Sequence, residues 1–355
     1  MSVHHFLNLY EPAPWFVCAS TSNPKYHFSS LGGLYIVLTF FGNDQHPTSQ
    51  QVNHAFLANK WLFDDMNACW FGISTQPQSE ERLLEQLPGV RYFFDQDQSV
   101  SRLYRVISRE GLYCPCTYII DKQLRIVAII PFIADGMQHV HQVMAKLNHL
   151  SQQALLVPAP VLIIPNVFED SFCQQLIAYY HKKGGEVSGI TREENGMTVG
   201  RYDNNFKIRK DTVIEEENVK KAINIRINRR LVPEIEKAFR FKATRIERYL
   251  VACYDANDGG FFRPHRDDTT KGTAHRCFAV TINLNAEDYE GGDLRFPEFG
   301  QQTYRAPTGG AVVFSCSLLH EATRVTKGQR YAVLPFLYNE EAAKIREENA
   351  AFIES

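Results

Sequence analysis

Residues 254–267 read Tyr-Asp-Ala-Asn-Asp-Gly-Gly-Phe-Phe-Arg-Pro-His-Arg-Asp. The stretch belongs to a longer run, from Arg245 onward, of short apolar segments separated by Gly, Asp and Pro turns. That pattern predicts an all-β sandwich or barrel. The quoted stretch ends on His265-Arg266-Asp267. On a strand, residues i and i+2 point to one face. One imidazole and one carboxylate are therefore expected to converge.

A third ligand must come from elsewhere. His320 follows Asp267 by 53 residues, just beyond Ala311-Val312-Val313-Phe314, which reads as a central strand. Two neutral imidazoles and one carboxylate on one face leave the opposite coordination positions open. That is the 2-His-1-carboxylate arrangement of non-haem Fe(II) oxygenases. Alone, His-x-Asp equally describes a surface His–Asp pair. Arg330 lies ten residues past His320, after a turn at 325–328. A guanidinium there could bind a carboxylate in bidentate fashion, although alone it reads as a surface strand arginine.

Residues 248–338 resemble the Fe(II)- and 2-oxoglutarate-dependent dioxygenase superfamily in its prolyl 4-hydroxylase-like branch. The matching pieces are 254–267, then Thr281-Ile282-Asn283-Leu284-Asn285, Tyr289-Glu290-Gly291-Gly292-Asp293-Leu294-Arg295-Phe296, residues 307–314, His320, and residues 325–330. The resemblance implies a double-stranded β-helix (jelly-roll) with flanking helices. It implies Fe(II) on His265, Asp267 and His320, and the distal carboxylate of 2-oxoglutarate on Arg330. Tyr254 matches a tyrosine that assists at the cosubstrate, and Thr281 is expected to line that site. Asn205, Arg209 and Asp211 are expected at the pocket mouth, on the substrate side, with pocket walls from loops such as 195–203. The implied reaction consumes O2 and 2-oxoglutarate, hydroxylates a C–H bond and releases succinate and CO2, with ascorbate as a further cofactor. Related halogenases lack the carboxylate that Asp267 supplies, so hydroxylation is the expected outcome. The demethylase motif R-x-N-x-T-x-R is not matched. Thr326 and Gly328 stand where that motif has Asn and Thr.

The first half reads differently. Residues 34–41 form a buried strand, and a helix over 48–63 follows, capped by Thr48 or Ser49. A second strand spans 68–74, a helix 78–87, a strand–turn–strand 117–130 and a helix 137–150. Alternation of this kind predicts an α/β layer. Residues 12–150 resemble the peroxiredoxin and thioredoxin-like fold. Peroxiredoxins carry a reactive cysteine at the helix start after the first core strand, where the helix end lowers its pKa. Residues 42–49 contain no cysteine, so the domain is expected to be non-catalytic. Cys114-Pro115-Cys116 occupies the place where thioredoxin-like folds carry a cis-proline. It reads as two ordinary thiols or as a redox-sensitive or metal-accepting pair, and it is not a C-x-x-C motif. Most of the remaining cysteines have apolar neighbours and read as core residues. His275 reads as a loop or strand-start histidine. His4, His5, His46, His54, His139 and His141 read as surface or loop residues.

Together these readings give a peroxiredoxin-like domain over 1–150, a Pro158-Ala159-Pro160 linker over 151–160, a dioxygenase domain over 161–340 and a C-terminal helix or tail over 341–355. The second half is expected to open with a strand at 161–164. A helix capped by Asp170 or Ser171 and stopped at Gly184-Gly185 comes next. Another starts near 215–217, with Val219, Ile223 and Ile227 on one face. Over the whole chain, 355 residues at 44% hydrophobic and 22% charged are enough for two globular cores. The net charge of -2 gives no bulk attraction to nucleic acid or membranes. Residues 207–248 carry 13 Lys/Arg against 7 Asp/Glu, which reads as solvated helix faces or as a rim for an acidic ligand. Eight cysteines are too sparse for a disulfide scaffold. No secretory signal or membrane-length apolar run is visible, so a cytoplasmic protein is expected. The expected partners are a peptide, protein or small-molecule substrate and a second copy bound through the N-terminal domain, with no nucleic acid or membrane. Two rival readings remain: a redox protein acting through the N-terminal thiols, and a sensor that holds iron and 2-oxoglutarate without turnover.

Overall fold

A computed structural model of the chain describes residues 6–152 and 157–353. Part of the expected linker, 153–156, lies outside the described residues, as do His4, His5 and the last two residues. The chain forms two compact units. The first spans 1–157 with Pro297–Gly300, and the second spans 158–296 with 301–355.

The first unit is built on β1 (Tyr35–Gly42), α1 (Pro47–Ala58), β2 (Ala68–Ser74), β3 (Val90–Phe94), β4 (Cys116–Ile120), β5 (Ile126–Pro131) and α2 (Gly136–Gln152). The sheet order is β3-β2-β1-β4-β5, parallel on the β3 side of β1 and antiparallel on the other. Strand alternation sorts the apolar run of β1 onto two faces. Ile36, Leu38 and Phe40 join one core with Phe71, Phe93 and Tyr118. Tyr35 and Val37 join the other with Phe56, Trp70, Val140 and Val143, from the helices and β2. This is the thioredoxin-like layer that the sequence predicts.

Several local expectations are corrected. His46, not Thr48 or Ser49, caps α1, with Nδ1 accepting from the Thr48 amide at 3.3 Å. The helix stops at Ala58 and a 3-10 turn, Lys60–Leu62, replaces its expected end. The helix expected over 78–87 is a single turn, Ser79–Arg82. Ser79 Oγ and Arg82 Nε each bond the buried Asp44 carboxylate at 2.9 Å, and Leu83 then turns extended to bury itself. β3 and the turn Ser99–Leu103 were not expected. His139 is fully buried rather than on the surface, with Nε2 2.9 Å from Thr117 Oγ1. The cis peptide bond among the described residues is Leu87–Pro88, so Pro115 does not carry one.

The second unit has two main sheets. Its main elements are β6 (Leu162–Ile164), α3 (Asp170–Lys183), β7 (Lys207–Ile208), β8 (Lys210–Val213), α4 (Glu217–Arg226), α5 (Val232–Phe239), β9 (Arg245–Glu247), β10 (Leu250–Asp255), β11 (Phe261–His265), β12 (Phe278–Asn283), β13 (Leu294–Arg295), β14 (Ala311–Ser315), β15 (His320–Ala322), β16 (Gln329–Val333), β17 (Phe336–Tyr338) and α6 (Glu340–Glu348). The larger sheet runs β9-β17-β12-β16-β10-β8, then a short strand at Glu186–Val187, with β14 on β12 and β6 on β14. The smaller runs β7-β11-β15-β13, then Thr303–Tyr304. Val280, Ile282, Val251 and Val333 turn to one side of the larger sheet and pack on Phe172, Leu176, Ile223, Ile227 and Ile235 of the helices. Ala279 and Thr281 face the other way and, with residues of the smaller sheet, line a cavity. Two facing sheets with helices outside are the jelly-roll arrangement the sequence implies.

Glu169 is the N-cap residue of α3, and Asp170 and Ser171 lie inside the first turn. The segment 195–203 forms part of a hairpin, Ile190–Glu194 with Met197–Arg201, and does not line the cavity. No helix of the described residues is long and apolar enough to cross a membrane.

Candidate metal centre

β11 and β15 are adjacent and antiparallel, and His265 pairs in register with His320. A register shift between Phe262 and His265 marks an irregularity in this ladder, the kind of local bend that re-aims side chains. Two residues on, the Asp267 amide donates to Cys316 O at 2.9 Å. That bond holds the carboxylate beside both rings. His265 Nε2 lies 3.5 Å from Asp267 Oδ1, and His320 Nε2 lies 3.3 Å from Oδ2. Among the described residues, these three form the group that could hold a metal ion.

The tautomers suit that role. His265 Nδ1 is 2.8 Å from Arg263 O, and His320 Nδ1 is 3.0 Å from Leu318 O. A carbonyl only accepts, so each Nδ1 carries the proton and each Nε2 keeps its lone pair toward Asp267. Burial, followed by the neighbouring His320, pushes His265 down to about 4, so its ring is neutral at pH 7. Burial alone would raise the Asp267 carboxyl. The adjacent His320 and His265 imidazoles hold it well below the ordinary range instead. Two donors about 2.1 Å from one ion stand about 3 Å apart at right angles. The observed separations and the N,N,O donor set fit a divalent transition metal with its remaining positions open to the cavity.

The cavity around His265, Asp267 and His320 is lined by Phe262, Leu294, Phe314 and Ala322, and also by Arg209, Arg248, Tyr254, Thr281 and Arg330. A smaller recess continues from Thr281 and Arg330 to Asn283, Tyr289 and Tyr304. Arg330 is buried, and its Nε and Nη1 have no hydrogen-bond partner. Unsatisfied buried guanidinium donors are costly, and here they face a recess that an organic anion could enter. The Tyr254 ring stands 5.0 Å from the Arg330 guanidinium carbon.

Of the residues expected on the substrate side, Arg209 lines the cavity. Asp211 grips it from behind through bonds of 2.7 Å and 2.6 Å. Asn205 is exposed and outside the lining, with its carbonyl accepting from Arg263 Nε at 2.5 Å. The basic stretch is not uniformly solvated, because Lys207 and Arg209 are buried. Sequence reasoning passed over Arg248, which also lines the cavity; its only signal was membership of that stretch. His275 is buried and bonds Glu247 Oε2 at 2.7 Å, and it is not part of the His265, Asp267 and His320 group.

In the first unit the helix start after β1 holds His46 in place of a nucleophile. The cysteines are all free. Burial raises the thiols of Cys114 and Cys116, the second most strongly. A raised thiol is a poor nucleophile at neutral pH, which weighs against the redox reading.

Residues 249–338 match the model of the 2OG-Fe(II) oxygenase superfamily, and residues 9–129 match that of the AhpC/TSA family. A PKHD-type hydroxylase of Synechococcus sp. is 34% identical over 98 residues, covering 26% of this chain and 43% of that protein. Another, from Shewanella frigidimarina, is 48% identical over 61 residues, covering 17% of this chain and 27% of that protein. The chain therefore spans less than half the length of these relatives. A solved prolyl hydroxylase from Trichoplax adhaerens, in complex with a hypoxia inducible factor peptide fragment, has 18% identity and a TM-score of 0.39, covering 61% of this chain and 97% of that one. The chain thus carries two segments that match different family models, 9–129 that of the AhpC/TSA family and 249–338 that of the 2OG-Fe(II) oxygenase superfamily.

Proposed function

We propose that the C-terminal domain is an Fe(II)- and 2-oxoglutarate-dependent dioxygenase that hydroxylates a C–H bond, in a prolyl or other residue of a peptide or protein. The supporting observation is one cavity that holds both the His265, Asp267 and His320 donors and the Arg330 guanidinium, whose Nε and Nη1 have no hydrogen-bond partner. His265, Asp267 and His320 would hold Fe(II). When bound, the metal supplies the O2 chemistry by which 2-oxoglutarate, O2 and R–H become succinate, CO2 and R–OH. Arg330 takes the distal carboxylate of 2-oxoglutarate and orients the molecule along the recess. Tyr254 backs that guanidinium, and Thr281 offers a hydroxyl between recess and metal. Asp267 brings one negative charge to the ligand set. Phe262, Leu294, Phe314 and Ala322 keep water from the reacting centre. The domain arrangement is proposed as read in the sequence, with the N-terminal domain serving as a non-catalytic docking or dimerisation module. Ascorbate is proposed to keep the iron reduced. Eight free cysteines suit a reducing, cytoplasmic setting. The test is anaerobic titration of the full chain with Fe(II) and 2-oxoglutarate, followed by O2 and succinate measurement. Succinate formed by wild type and lost in Asp267→Ala supports the reading, whereas equal turnover in that variant refutes it.

A further inference from the structure

The charges around the cavity do not cancel. Arg209 is matched by Asp211 in a two-pronged pair. Arg276 is matched by Glu247, through contacts of 3.0 Å and 2.7 Å. Lys207 directs Nζ to Ser188 Oγ at 2.6 Å and Gly189 O at 2.7 Å. Burial, then the nearby Arg209, pushes Lys207 down to about 6, so its amine is largely neutral at pH 7. Arg330 is reserved for the cosubstrate in the reading above.

Arg248 is left over. Its Nε donates to Leu334 O at 3.1 Å, and its guanidinium carbon stands 4.3 Å from the centre of the Phe336 ring. Among the described residues, neither Nη makes a hydrogen bond and no carboxylate lies within ion-pair distance. Burial, followed by Arg209 and Arg276, lowers it to about 10, so it stays charged at neutral pH.

Arg248 and Arg330 are also set apart. Ala279, Thr281 and Asn283 alternate onto one face of β12, each step of two residues being about 6.7 Å. Ala279 pairs in register with Phe336, under the Arg248 guanidinium. Asn283 lines the recess with Arg330. Arg248 and Ala279 line only the larger cavity, whereas Thr281 and Arg330 line both. A diacid anchored on Arg330 and reaching the metal leaves Arg248 without an anion.

We propose that Arg248 is a specificity-determining residue that binds a carboxylate of the substrate, so that the molecule hydroxylated is an acid. The inference rests on the dioxygenase reading and names its substrate class. A planar guanidinium with both Nη groups free, already stacked on an aromatic ring, is preorganised for two-pronged carboxylate recognition. The carboxylate comes either from the main chain of an amino acid or from an acidic side chain in a peptide.

The full-length protein, loaded with Fe(II) and 2-oxoglutarate, is offered two matched panels. One holds N-acetyl amino acids and their C-terminal amides. The other holds acetylated, amidated hexapeptides with Asp or Glu and the same peptides with Asn or Gln. In at least one panel, kcat/KM for substrate-stimulated succinate release favours the carboxylate by about tenfold or more; the responding panel identifies its source. In Arg248→Met the preference falls to within about twofold, and Arg248→Lys restores part of it. The Kd for 2-oxoglutarate, measured anaerobically by calorimetry, stays within about twofold of wild type in Arg248→Met. If wild type binds 2-oxoglutarate but neither panel shows a carboxylate preference, the proposal is overturned and the dioxygenase reading stands. A preference that persists in Arg248→Met, or a loss of 2-oxoglutarate affinity in that variant, also overturns it. Wild type that binds no 2-oxoglutarate overturns both.

Discussion

His265 and His320 are register partners on adjacent antiparallel strands, β11 and β15, separated by 55 positions of sequence. The sheet ladder therefore sets the spacing of the two imidazoles, and each Nδ1 is tied to a carbonyl of its own chain segment, Arg263 or Leu318. The site is preorganised by backbone hydrogen bonds rather than by flexible loops. Replacing Asp267 with Ala should weaken Fe(II) binding by about 100-fold or more, since even outer-shell partners of metal ligands are worth 10–100-fold. Anaerobic calorimetry with Fe(II) measures this directly. Near wild-type affinity would show that the carboxylate is not a ligand.

Arg330→Leu removes the buried guanidinium and keeps an apolar side chain in the recess. Hydrogen bonds to a charged group contribute about 1.5–3 kcal/mol, so the Kd for 2-oxoglutarate should rise by about 10- to 100-fold. Fe(II) affinity should hardly change, because Arg330 is not among the three converging donors. Parallel titrations of metal and cosubstrate separate the two effects.

Cys114→Ser and Cys116→Ser should leave succinate release within about twofold of wild type, and the wild-type protein should consume no peroxide. Burial raises both thiols, and the helix start after β1 carries His46. Peroxide loss that requires either cysteine would restore the redox reading.

His139 makes the first unit acid-sensitive. Burial pushes it from 6.5 down to about 4. Between those values the unfolded chain binds a proton that the folded chain refuses. The stability from this residue is complete above about pH 6.5 and is lost as the pH falls toward 4. By pH 5 the loss should reach about 2 kcal/mol. All three tryptophans, Trp15, Trp61 and Trp70, lie in this unit, so their fluorescence during urea unfolding of the full chain reports on it. His139→Leu should flatten the pH dependence between 7.5 and 5. An identical slope in both proteins would refute the assignment.

The convergence of His265, Asp267 and His320 was legible because strand alternation and a fixed motif order constrain side-chain direction strongly. The major strands were legible for the same reason: an eight-residue apolar run such as β1 has few other uses. The short elements were not. The 78–87 segment has the acidic start of a helix, but Asp44, distant in sequence, captures Ser79 and Arg82 and ends it after one turn. His139 falls on the buried face of α2, and its partner, Thr117, sits on a strand 22 residues away. Arg248 did not stand out in the sequence because what sets it apart is that its neighbours are paired and it is not. Only the packed structure shows that Arg209 and Arg276 have carboxylates and that Arg248 has none.

The most direct test is a stoichiometric one. Full-length protein is titrated anaerobically with Fe(II) and 2-oxoglutarate and then exposed to O2, and succinate is quantified against 2-oxoglutarate consumed. One Fe(II) and one 2-oxoglutarate bound per chain, with succinate formed one for one, is the expected result. Failure of either to bind, or binding of both with no succinate after O2, would contradict a dioxygenase at His265, Asp267 and His320.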